Sequence, residues 1–133
     1  MNAPSIDIKD WLVANSGLGL VSGKGGNLHI SREPSTPDNT VTIYDTSAGA
    51  DKPDMEGDSI IYENSIQIRI RNKSYQTGWA LAEAIKEVLS PVSNTTINST
   101  MYLSIFHQNG PFVLEWDDNN RVILIMNFNI ERS

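Results

Sequence analysis

The stretch from Ile60 to Pro91 constrains this chain more than any other part of it. Between Ile60 and Arg71, Ile60, Tyr62, Ile66, Ile68 and Ile70 share one face of an extended chain. Gln67, Arg69 and Arg71 occupy the other, which is the period of two that a half-buried strand requires. After Asn72-Lys73 the period becomes helical. Ser74 is placed to cap a helix in which Tyr75, Trp79, Ala82, Ile85 and Leu89 stack on one face, widened by Leu81 and Val88. Gln76, Glu83, Glu87 and Ser90 mark its wet side, and Pro91 ends it. Such a stripe needs a sheet to lie on, and the preceding strand supplies one. Trp79 is therefore expected to be buried over Ile66 and Ile68.

The rest of the chain completes an α+β pattern. Ser5 can cap a short first helix, with Asp7 in the turn favoured by the helix dipole and Ile8, Trp11 and Leu12 as an apolar stripe. Gly17, Gly19, Gly23, Gly25 and Gly26 make a mobile connection. Short strands are expected around Leu28–Ile30 and Thr40–Asp45. Residues 46–58 then run through Ala, Gly, Asp, Lys, Pro and Glu with almost nothing to bury, the mark of an exposed loop. Val92 to Thr100 reads as a polar loop, and strands follow at 101–106 and 112–116, separated by a turn at Asn109-Gly110-Pro111. Asp117-Asp118-Asn119-Asn120 is a strong turn, and Arg121–Ile130 is a last strand. Because Val122 to Met126 is apolar on both faces, that strand should be central and covered. The expected order is helix, three strands, helix, three strands. It implies an antiparallel or mixed sheet of about five or six strands covered by two helices, in one domain spanning residues 1–133.

Several function classes lose support at this stage. With 10 basic against 16 acidic residues the net charge is −6, whereas a protein that grips phosphates normally shows a basic face. The absence of cysteine removes disulfides, thiolate metal sites and a Cys nucleophile together. The N-terminal residues lack the basic start and apolar core of a signal peptide, and no run approaches the roughly 18 apolar residues of a membrane span. Gly23-Lys24 has Leu18 where a phosphate loop needs glycine and Gly25 where it needs Ser or Thr. Asp117-Asp118 fits a hairpin turn better than a pair of catalytic carboxylates. His29 and His107 stand on separate strands without a close His or Glu partner, so each reads as a hydrogen-bonded strand residue.

The concentrated basic feature is Arg69 and Arg71, with Arg32 nearby if their strands are close. Contact with a neighbouring subunit, a solvated strand face and a phosphate backbone are all open to it. For the first, the natural complement is the acidic loop carrying Asp51, Asp54, Glu56 and Asp58 in another copy, because in the same chain that loop leads directly into the strand.

A family resemblance rests on three stretches. Arg32-Glu33-Pro34 followed by Pro37-Asp38-Asn39-Thr40-Val41-Thr42-Ile43-Tyr44-Asp45-Thr46 resembles the opening of the minor capsid proteins of siphophages that infect Gram-positive hosts. Gln67-Ile68-Arg69-Ile70-Arg71, followed by Tyr75 and an Ala- and Leu-rich helix, is similar to their middle. Asp117, Arg121 and Asn127-Phe128-Asn129 are similar to their ending. The chain departs at Ser47-Ala48-Gly49, where the family tends to carry Pro-Gly. The resemblance implies a tail-terminator or tail-completion protein of a phage particle, with no cofactor and no turnover. It implies a homo-oligomeric ring, a hexamer, that meets the tail tube protein and the head–tail connector protein. Genomic DNA would pass through such a ring without specific binding, and no membrane is involved. The residues alone leave two rivals. One is a cytosolic adaptor that recruits a partner through a sheet edge, the other a small metal-dependent hydrolase built on Asp117, Asp118 and a histidine.

Overall fold

A computed structural model describes residues 1–47, 49, 51–53, 57 and 60–133. The element order is α1 (Pro4–Asn15), β1 (Leu28–Ile30), β2 (Thr40–Thr46), β3 (Lys52–Pro53), β4 (Ile60–Asn72), α2 (Tyr75–Leu89), β5 (Ser93–Ile97), β6 (Thr100–Trp116) and β7 (Val122–Arg132). The strands form a seven-stranded sheet in the order β1-β2-β4-β7-β6-β5, with β3 paired to the start of β4. The β1–β2 pair is parallel and the other pairs are antiparallel, so the sheet is mixed.

Both helices lie on one face. Asp45, Ile66, Ile68, Ile70 and Leu124 share a side of the sheet through the pairs Asp45↔Ile66, Ile68↔Met126 and Ile70↔Leu124. Asp45 meets α1: its carboxylate accepts from the Ser5 N–H (3.0 Å) and the Ser5 hydroxyl (2.7 Å). Leu124 lies under Gly78 of α2. Between sheet and helices, Ile8 and Leu12 of α1 and Ala82, Ile85 and Leu89 of α2 are fully buried. β7 sits between β4 and β6, and Val122 to Met126 are buried on both faces, as their apolar run demands. Ser74 caps α2 by accepting from the Thr77 N–H at 3.2 Å.

Five expectations are corrected. The turn at 109–111 does not form: β6 runs through it as one strand from Thr100 to Trp116, because register shifts between His107 and Phe112 absorb the extra residues. Residues 92–100 contain β5, an edge strand of mostly exposed polar residues that ends on the buried Ile97, joined to β6 by a tight Asn98-Ser99 turn with both residues at positive φ. Part of the 46–58 loop is β3, whose Lys52 forms ion pairs with Glu63 (2.6 Å) and Glu131 (3.7 Å). Ser5 does not cap α1; the helix starts at Pro4, and the carboxylate of Asp45 on β2 serves its first turn instead. Finally, the stripe of α2 is rotated at its N-terminal end, where Gly78 is buried against the sheet and Trp79 only partly buried at the margin of the core.

That rotation changes what substitutions should do. Trp79 is half-buried at the margin of the core and Tyr75 is 44% exposed, with ring centroids 5.9 Å apart. Trp79→Ala should therefore cost less than about 2 kcal/mol, whereas Ile85→Ala, at a fully buried position, should cost about 2–5 kcal/mol. Urea melts of the two variants check this ordering, and the reverse order would put the tryptophan back under the helix.

Candidate functional site

The face of the sheet opposite the helices is defined by Thr40, Thr42 and Tyr44 of β2, Gln67, Arg69 and Arg71 of β4, and Ile123 and Ile125 of β7. The segment 33–38 folds over one part of it, held by two arginines. Arg71 donates to the carbonyls of Pro37 (2.7 Å) and Asp38 (3.1 Å) and pairs with Glu33 at 3.3 Å. Arg121 donates to the Ser35 carbonyl at 2.8 Å and pairs with Asp38 at 3.4 Å. Each guanidinium spreads several donors in a plane, which suits it to gather carbonyls from one loop.

Arg71 is therefore a structural residue, buried to 3% exposure. Sequence spacing shows which face a strand residue takes, but not which distant loop covers that face. Arg69 is less occupied. Its guanidinium lies 5.9 Å from the Tyr44 ring and its Nε is 3.7 Å from Glu33 Oε2, too long for a hydrogen bond. Neither of those two atoms has another partner among the described residues. Asp51 is exposed; Asp54, Glu56 and Asp58 lie outside the described residues.

Asp117 and Asp118 close the β6–β7 hairpin. Asp117 accepts from the backbone N–H of Asn119 (2.9 Å) and of Arg121 (3.0 Å) and from the Arg121 guanidinium (2.7 Å). Burial pushes its carboxyl upward, but those three Arg121 and Asn119 contacts prevail and hold it below the ordinary carboxylate range. A carboxylate so fully engaged is a turn clasp. His29 Nε2 donates to the Gly26 carbonyl and His107 Nε2 to that of Gly110, each at 2.7 Å. The described residues contain no group of three or more His, Cys, Asp or Glu that could hold a metal ion.

What sequence reasoning missed is the apolar edge of β6. Phe106 is 65% exposed, Leu114 48% and Trp116 53%, and Phe112 and Val113 are each 41% exposed. β5 covers only Thr100 to Ser104 of this strand. The available signal was Phe112-Val113-Leu114-Glu115-Trp116, apolar at four of five places without the alternation of a strand that has one wet face.

Comparison with known proteins agrees with this architecture. No curated protein matches the chain. A chain in the solved structure of the virion of a native gene transfer agent particle has the same fold, with a TM-score of 0.69. The two are 12% identical, over 98% of this chain and 94% of the other. The family described as bacteriophage tail terminator protein matches residues 12–133, which hold the whole sheet and all of α2. The protein belongs to that family and is a structural tail terminator of a phage-type virion.

Proposed function

We propose that this tail terminator works as a closed homo-oligomeric ring, a hexamer, built from one domain per subunit. One side of the ring seats on the last ring of the tail tube protein and the other receives the head–tail connector protein. The observation that carries the reading is the family match over residues 12–133. The exposed apolar edge of β6 supports it, since a surface of that kind on a soluble chain marks a contact with another protein. Closure by rotation stops growth, because a heterologous contact that returns on itself leaves no free end. The ring performs no turnover and needs no cofactor. DNA passes through it without specific binding, and a net charge of −6 suits that passage because it offers no counterion-release gain. Assembly takes place in the host cytoplasm. Arg69, with its partly unused guanidinium, and the exposed Asp51 are contact points on subunit or tube surfaces.

Light scattering after size exclusion, combined with electron microscopy of tail tubes mixed with the protein, tests the reading. Closed oligomers or capped tube ends are expected. A chain that stays monomeric or dimeric and leaves tubes uncapped would instead act as an adaptor that uses its free sheet edge for another partner.

A further inference from the structure

The two ends of the sheet carry complementary surfaces. At one end, the edge of β6 away from β7 meets no strand beyond Ile105 among the described residues. The pairs Phe112↔Ile125 and Val113↔Leu124 place its exposed side chains on opposite faces, so neither the helices nor the 33–38 segment shields them all. Open strand edges are normally blunted by lysine, proline or a covering loop; residues 112–116 hold neither lysine nor proline, and their apolar side chains stay exposed among the described residues. Of the three acidic residues on this tip, Asp117 is paired with Arg121, whereas Glu115 and Asp118 are exposed and without a cationic partner among the described residues.

At the other end, beside β1, two adjoining open clefts of about 500 and 570 Å³ share His29 and Pro34. Ile30 forms an apolar wall, and Lys9, Lys24 and Arg32 stand around the rim. Lys9 pairs with Asp10, whereas Lys24 and Arg32 are exposed and have no carboxylate partner among the described residues. One end is thus an apolar tip with two unpaired acids, and the other an apolar-walled cleft with two unpaired bases. In a chain of net charge −6, that separation favours the tip of one copy meeting the cleft of another.

We infer that the β6–β7 tip around Leu114 and Trp116 docks in the cleft beside β1 of a second copy, with Glu115 and Asp118 against Lys24 and Arg32. The inference rests on the ring reading above and names its contact. Because the two surfaces differ, the contact is heterologous, the kind that closes into a ring.

Two variants test it. Glu115→Lys/Asp118→Lys reverses the tip, and Lys24→Glu/Arg32→Glu reverses the cleft. All four residues are exposed, so both variants should keep the parent's melting temperature. Each alone should associate at least about tenfold more weakly than the parent, since like charges then meet. An equimolar mixture should regain assembly, because every reversed tip finds a reversed cleft and every native tip a native one. Sedimentation velocity at low salt reads all three samples. Variants that assemble as the parent does, as they would if two tips paired with each other or if the tip bound only the tube protein, overturn the inference. A mixture that stays dissociated overturns it as well. A parent that forms no closed oligomer, alone or on tubes, overturns the ring reading and this contact with it; a parent that closes but ignores the variants overturns this contact alone.

Discussion

Gly110→Ala is expected to lower stability by roughly 2–6 kcal/mol, combining about 1–3 for a side chain forced into left-handed backbone with about 1–3 for overpacking. The glycine has φ +93°, and a Cβ added there would fall on the Ile125 carbonyl oxygen and 2.8 Å from Met126 Cα. Both atoms belong to the backbone of β7, which is hydrogen-bonded to β4 on one side and β6 on the other and buried on both faces. Neither can step aside without breaking a ladder. Gly78 is the control. There a Cβ would meet Asn72 Cβ at 3.1 Å, a contact that a shift of a few tenths of an ångström relieves, and Leu124 Cδ1 at 3.4 Å, the end of a side chain that can turn. Alanine also gains about 1 kcal/mol over glycine in a helix, so Gly78→Ala should be close to neutral. Urea unfolding of both variants measures the difference. A Gly110→Ala protein as stable as the parent would mean that β6 does not pass β7 so closely and that the chain turns at Asn109–Pro111 after all.

The same glycine marks where sequence reasoning stopped working. Asn109-Gly110-Pro111 has turn composition, and a positive φ at Gly110 serves a bulge as well as it serves a turn. Composition cannot separate the two; the partner strand decides. β5 escaped for a related reason: Ser93 to Thr96 are polar and mostly exposed, and Ile97 alone of the strand is buried in the core, so no apolar alternation marks it. By contrast β4, α2 and β7 were legible, since each buries a regular face and burial imposes the period. Val122 to Met126 even announced a central position, because only a strand covered on both sides can afford apolar residues throughout. The candidate site was half legible. Arg69 and Arg71 were placed on the correct face, yet Glu33 and the 33–38 carbonyls that engage them come from more than thirty residues away, as separations of 33, 34 and 38 positions record. The β6 tip was read as an ordinary strand because exposure, not composition, is what makes it a surface for contact.

Asp7→Ala is expected to cost about 3–5 kcal/mol, the usual consequence of leaving a buried charge without its partner. Sequence position suggested a residue in the first turn of a helix, enjoying the dipole at the surface. The structure buries it completely. Its carboxylate accepts from the Tyr102 hydroxyl and from the amides of Asn98 (2.9 Å) and Asn2 (3.2 Å), and it lies 3.4 Å from Arg132 Nη1. Arg132 is 4% exposed and donates further to the Asn2 carbonyl (2.7 Å) and to Asn64 Oδ1 (2.8 Å). These contacts join α1 to β6 and β7, tying residues near the two ends of the chain. Removing Asp7 takes the paired carboxylate from the guanidinium and an acceptor from three donors at once. Asp7→Asn should recover the packing but not the charge, and so fall between alanine and the parent. Removing both ions, as Asp7→Leu/Arg132→Met, should cost less than the two single changes added together, because no lone charge remains. Tyr102 adds a pH signature. Burial, followed by its hydrogen bond to Asp7, raises the phenol above the ordinary tyrosine range, although Arg132 pulls the other way. The fold therefore favours the protonated phenol, and its contribution is complete below the ordinary tyrosine pKa and is lost as pH rises beyond it. Tyr102→Phe should accordingly be less stable than the parent at neutral pH and lose less of its stability between neutral and strongly alkaline pH. Thermal melts across that range check it. Parallel curves for parent and variant, or an Asp7→Ala protein with the parent's melting temperature, would show that this cluster does not hold α1 to the sheet.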